Sequence, residues 1–233
     1  MSSARLSDVM HIGGQPVTNI VNKTVQLDLN SAGRAMFEVV CEQEPSGLVE
    51  LQLGYAIDAM TPYFLGVIES KHLANGRWFL TCRELLGALA FSAPIAIRHA
   101  TISQVLAALD SRLEFITPNT EIMQIKVPAF YHNGTGIEAL KQIGHVWQIP
   151  DYIWQQRPDG KIFVGSWHDS RWPLAAISDF PEHTIKATGT STGELIAVPK
   201  LRPGLKINGR YITEVTLINN KMVIRWSSKL LNA

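Results

Sequence analysis

From about residue 15 to residue 83 the chain alternates apolar and polar positions, the period of a strand with one face buried. The run "TVQLDLN" sets Val25, Leu27 and Leu29 against polar neighbours, and "MFEVVCE", "LVELQLGY", "YFLGVIES" and "RWFLTC" repeat the pattern. The segments "SAGR", "EPSG" and "LANGR" separate them, and Asn75-Gly76 is the residue pair that a tight primed hairpin turn demands. These five runs predict a small antiparallel meander or barrel.

The period then changes. In "TISQVLAALDSRL", Ile102, Val105, Leu106, Leu109 and Leu113 fall on one helical stripe, and Thr101 with Gln104 has the spacing of a capping box. In "TGIEALKQIGHVWQ", Thr135 and Glu138 repeat the box, and Ile137, Leu140, Ile143 and Trp147 repeat the stripe. Between the helices "EIMQIKVPAF" reads as extended, with Pro128 placing it at an edge or a strand end.

Alternation returns in "DYIWQQRPDGKIFVGSW", a hairpin around Pro158-Asp159-Gly160, and continues through "TIKATGT", "ELIAVP", "LKING", "RYITEVTLIN" and "KMVIRWSS". The stretch "AVPKLRPGLKINGRYITEV", residues 197–215, combines prolines, glycines and cations as a phosphate-binding loop would. It leads into a strand, however, where a phosphate cradle leads into a helix N-terminus, so it reads as a turn system. In that reading Gly204 and Gly209 serve the backbone, while Lys200, Arg202 and Lys206 are surface cations that folding does not need. The changes of period divide the chain into a strand-rich unit at residues 1–90, a helical connecting segment at 91–149 and a second strand-rich unit at 150–233. The fold class expected is mainly β with inserted helices.

Composition narrows the function. Of 233 residues, 46% are hydrophobic and 18% charged, as in a folded soluble protein. Twenty-one Lys/Arg against 20 Asp/Glu leave a net charge of +1, which supplies no overall field to recruit nucleic acid or an anionic membrane. Cys41 and Cys82 lie far apart in strand-like runs, which suits buried thiols better than a disulfide framework or a zinc site. The N-terminal "MSSARLSDVMHIGG" lacks an apolar signal core and no run reaches the length of a membrane span, so the expectation is a chain without a membrane anchor, folded in a reducing cytoplasm.

Catalytic signatures are missing. His99, His132, His145, His168 and His183 stand singly, without the spacing of metal ligands, and there is no GxSxG or SxxK around a serine. "HNGTG", residues 132–136, is the nearest approach to an anion loop, but Thr135 already serves as a cap and the lysine of a P-loop is absent. A glycan hydrolase would need paired carboxylates, for which Asp169, Asp179 and Glu182 are the candidates, with Trp167 and Trp172 of "GSWHDSRWP" as exposed sugar platforms. The same two tryptophans would serve a carbohydrate-binding β module. No catalytic, cofactor-binding or metal-binding residues are expected, and the chain is read as a non-enzyme.

Three stretches carry a resemblance: "TISQVLAAL", "TGIEALKQIGHVWQIPDYIWQQRPDGKIFVG" and "VPKLRPGLKINGRYITEV". Their succession resembles the tail-hub, or baseplate-hub, proteins of bacteriophages, related to late control protein D and to the N-terminal part of type VI secretion spike proteins. The resemblance implies two tube-type β-barrels per chain, joined by the helical segment, and a homotrimer whose six barrels form a ring. That ring would join the tail tube or distal tail protein to the spike or fibre, meet the tape measure protein, and pass DNA without binding it specifically. It further implies a place in the virion tail tip after assembly in the host cytoplasm. The chain is short for the family, with neither a lysozyme-like insertion nor a spike domain, which points away from wall-degrading activity.

Overall fold

The computed structural model describes residues 5–56 and 59–230, and the chain is mainly β within them. Strands β1 (Ser7–Ile12), β2 (Gln15–Pro16), β3 (Asn19–Asp28), β4 (Arg34–Val40), β5 (Leu48–Gly54), β6 (Thr61–Ala74) and β7 (Arg77–Glu84) come first. A 3-10 turn at Leu85–Ala90 leads to β8 (Ile95–Ala100), α1 (Ile102–Leu109), β9 (Phe115–Ile116), α2 (Glu121–Gln124), β10 (Val127–His132) and α3 (Gly136–Val146). The hairpin β11 (Tyr152–Gln156) and β12 (Ile162–Ser166) follows, then α4 (Trp172–Ala175), β13 (Lys186–Gly189), β14 (Thr192–Ile196), β15 (Lys206–Ile207), β16 (Arg210–Ile218) and β17 (Lys221–Ser227).

The two strand-rich regions meet in one sheet. Its order is β13-β14-β17-β16-β3-β4-β7-β6-β5-β1-β2, with β15 also on β16. The join is the antiparallel pair β3–β16, in which Val25 faces Leu217 and Leu27 faces Val215, all four buried. Alternation carries through as the sequence predicts: Ala35, Phe37 and Val39 of β4 point inward while Arg34 and Met36 stay exposed, and Val49, Leu51 and Leu53 do the same for β5. The pairings among the described strands leave the sheet open, ending on β13 and β2. The two closed barrels expected from the sequence are therefore not what these pairings form.

A second core lies under the helices. Ile102, Val105 and Leu106 of α1 and Ala139, Leu140 and Ile143 of α3 pack with Trp147, Phe130 and Met123. Both capping boxes form: the Thr101 side chain accepts from the Gln104 N–H, and that of Thr135 from the Glu138 N–H. Helix α1 ends at Leu109, one turn before the predicted Leu113, and "EIMQ" is the short helix α2 where extended chain was expected. The hairpin β11–β12 is the wall between the cores. Tyr152, Trp154, Ile162 and Val164 face the helices, while Ile153 and the partly buried Phe163 face the large sheet. All five β11 residues are consequently buried, as in a strand covered on both faces.

Candidate functional site

Where the first strand-rich region, the hairpin and the 197–215 stretch converge, the chain buries a charge pair. Arg202 Nη2 donates to Glu84 Oε1 at 3.1 Å, and the side chains are only 4% and 3% exposed. The same guanidinium donates to the Gln156 carbonyl at 3.2 Å and, through Nη1, to the Tyr63 carbonyl. Glu84 Oε2 accepts from the Gly33 N–H at 2.8 Å. Gln156 accepts from the Leu86 N–H at 2.9 Å and donates to the Leu65 carbonyl at 2.8 Å, and Gln155 donates to the Pro203 carbonyl at 2.9 Å. Burial pushes the Glu84 carboxyl above its ordinary range, against the pull of Arg202 and the Gly33 N–H. Tyr63 Oη and Arg202 Nε lie buried without a partner among the described residues.

This corrects the sequence expectation for Arg202. It is a buried strut, whereas Lys200 is exposed as expected and Lys206 lies 4.6 Å from the centre of the Tyr211 ring. Proline and glycine turn the loop back on itself, so that Leu201 and Leu205 enter the core on either side of Arg202. The turn reading of the stretch itself holds. Asn208 and Gly209 both have positive φ, 46° and 78°, and Gly204 has φ 96°. A Cβ on Gly204 would collide with the Trp172 indole.

The sugar-platform reading is overturned. Trp167 and Trp172 are 5% and 4% exposed, and Trp167 Nε1 donates to the Gly204 carbonyl at 2.8 Å. The turn-rich segment that suggested exposure folds over the C-terminal half of the large core, with its indoles inward. Asp169, Asp179 and Glu182 are exposed, and Glu182 faces Arg210 at 4.0 Å.

The Glu138 carboxylate sits on the "HNGTG" loop, accepting from the Thr135 N–H at 2.8 Å, while His132 Nε2 lies 2.8 Å from the Thr135 carbonyl. Burial pushes the Cys82 thiol up to about 12 and raises Cys41 as well, which disfavours the thiolate at both. Among the described residues no cluster of His, Cys, Asp or Glu could hold a metal, and no helix is long and apolar enough to cross a membrane. A cleft of about 630 Å³ opens between β6–β7 and the turn after α1, lined by Val67, Arg83, Leu85, Phe91, Arg112 and Leu113. Its arginines are held by their own carboxylates, Arg83 by Glu69 at 2.5 Å and Arg112 by Asp110 at 2.7 Å.

The arrangement of sheet, helical segment and hairpin is shared with known proteins. A tail protein of Neisseria meningitidis MC58 superposes with a TM-score of 0.65 at 14% identity, covering 95% of this chain and 96% of that one. The 43 kDa tail protein of prophage MuSo2 from Shewanella oneidensis gives 0.71 at 8% identity, over 96% and 97%. An Escherichia coli component of the type VI secretion system, described as structurally similar to the T4 tail proteins gp27 and gp5, gives 0.62 at 12%, over 96% and 78%.

The chain thus has the fold of bacteriophage tail proteins and of a type VI secretion component, and the resemblance read from its motifs is borne out at that level. In sequence it is 31% identical over 208 residues to an uncharacterised 58.7 kDa protein from the lys 3′ region of Haemophilus phage HP1 (strain HP1c1). That match takes in 88% of this chain and 39% of the relative, so the chain spans well under half of the relative's length. No family model matches the chain.

Proposed function

We propose that the chain is a structural hub of a phage tail tip, in which three copies form a pseudo-hexameric ring between the tail tube or distal tail protein and the spike or fibre. The observation that carries this reading is end-to-end similarity of fold to two tail proteins, with no large part of any of the three chains left over. In this reading the strand-rich regions at 1–90 and 150–233 act as the two tube-type units, linked by 91–149. Three chains then supply six units. The open ends of the long sheet at β13 and β2 are available to neighbours in such a ring.

Passage of DNA without specific binding is supported by the charge pattern. Cations along the sheet are matched locally: Lys221 with Glu194 at 2.7 Å, Arg77 with Glu38 at 2.6 Å and Arg225 with Glu214 at 3.6 Å. Such pairing leaves little excess field for a phosphate backbone. The role proposed is non-enzymatic, with the virion tail tip as its place and the tape measure protein among its partners. Deleting the gene from a phage that carries it tests the role. Particles or tails lacking tip structures are expected, whereas normal, infectious tails would refute it.

A further inference from the structure

The chain contains the dipeptide Asn-Gly at Asn75-Gly76, Asn133-Gly134 and Asn208-Gly209. Asn-Gly is chemically labile because the glycine amide nitrogen, unhindered by a side chain, can attack the asparagine side-chain carbonyl. The fold treats the three steps differently. Asn208 is clamped: its Oδ1 accepts from the Phe180 N–H at 3.0 Å and its Nδ2 donates to the Phe180 carbonyl at 2.8 Å. Asn133 is exposed and makes no side-chain hydrogen bond among the described residues, but its loop is pinned, since the Gly134 carbonyl accepts from the Ala93 N–H at 2.8 Å. Asn75 is exposed and makes no side-chain hydrogen bond among the described residues, and the space beside Gly76 is open.

Asn75 and Asn208 make an internal comparison. Both occupy the first position of a two-residue hairpin turn, with φ 50° and 46°, followed by glycine at 72° and 78°. Neither glycine has an atom within 4 Å of an added Cβ. The backbones match, and the Phe180 clamp is the difference.

We infer that Asn75 is a site of spontaneous deamidation, with Asn208 protected by its clamp. The Gly76 nitrogen bonds to Asn75 Cγ, the Cγ–Nδ2 bond breaks, and ammonia leaves carrying the proton from the Gly76 nitrogen. Water then opens the cyclic imide at either carbonyl, giving aspartate or isoaspartate. Either product places a carboxylate beside Arg77, which is 2.6 Å from Glu38, and isoaspartate lengthens the backbone of a turn set by the pairs Ala74–Arg77 and Leu73–Trp78. The tip of β6–β7, where β6 runs past its pairing with β5, is therefore the part of the sheet that chemical ageing loosens.

The test is peptide mapping of the folded protein held at mildly alkaline pH, with a parallel sample in concentrated urea. In the folded sample Asn75 should convert about tenfold or more faster than Asn208, the factor that one or two hydrogen bonds of ordinary net strength represent. In urea, where the clamp is gone, the two rates should converge. Equal rates in the folded protein, or faster conversion at Asn208 or Asn133 than at Asn75, would overturn the inference. So would an Asn208 that stayed slower in urea.

Discussion

Arg202 and Glu84 form a buried ion pair across 118 positions of sequence, with Nη2 and Oε1 3.1 Å apart. Glu84 ends β7 and Arg202 lies in the loop before β15, so the pair ties the first strand-rich region to the last, with Gln156 of the hairpin hydrogen-bonded to the same guanidinium. The large core runs continuously through both regions, and this junction is its polar seam.

Removing one partner should therefore cost far more than an ordinary surface change. Arg202→Met leaves the Glu84 carboxyl buried without its cation and strips the Tyr63 and Gln156 carbonyls of a donor, for an expected loss of about 3–5 kcal/mol. The double variant Glu84→Leu/Arg202→Met should lose much less than the sum of the two single losses, because it also removes the uncompensated charge. Urea melts of the three variants and the wild type measure this. Strict additivity would show that the two side chains do not act as a pair.

The pH dependence of the Arg202→Met defect follows from the Glu84 shift. Burial raises the carboxyl and Arg202 is the first influence pulling it back, so deleting Arg202 lifts the folded-state value further above the unfolded one. Above the ordinary carboxylate value the unfolded chain has released a proton that the folded variant still holds, and stability then falls as pH rises. The gap in Tm between wild type and Arg202→Met should widen from acid towards neutral pH. A gap that narrowed over that range would contradict the burial argument.

Within the same loop, position decides tolerance. Gly204→Val should lose about 2 kcal/mol or more, since it combines positive φ with a collision against Trp172. Gly209→Val should lose about 1 kcal/mol, for the backbone alone, because a Cβ there meets open space. Lys200→Gln and Lys206→Gln should each stay within about 0.5 kcal/mol of wild type. Thermal melts that ranked Gly209→Val below Gly204→Val in stability would refute this order.

Much of the fold was legible because period is a local property. The strands β3 to β7, both capping boxes and the Asn75-Gly76, Pro158-Asp159-Gly160 and Asn208-Gly209 turns follow from neighbours within a few residues. What failed was non-local. Strand β1 was missed because "SDVMHI" has little alternation of its own and is held by pairing with β5. Strand β8 was missed because "IAIRHA" lies between Pro94 and a cap and, among the described residues, pairs only with β10. Arg202 carries no local mark of burial, since its partners come from β6, β7 and β11. Trp167 and Trp172 were misread for the same reason: a turn-rich neighbourhood predicts a surface segment, and only the tertiary fold shows which way its indoles point.

The central claim, a ring built of three chains with two tube-type units each, is tested most directly by a cryo-electron-microscopy reconstruction of the assembled tail tip. The account predicts three copies of this chain in a single ring, with six similar strand-rich units around the axis. Six copies per ring, or one, would contradict it.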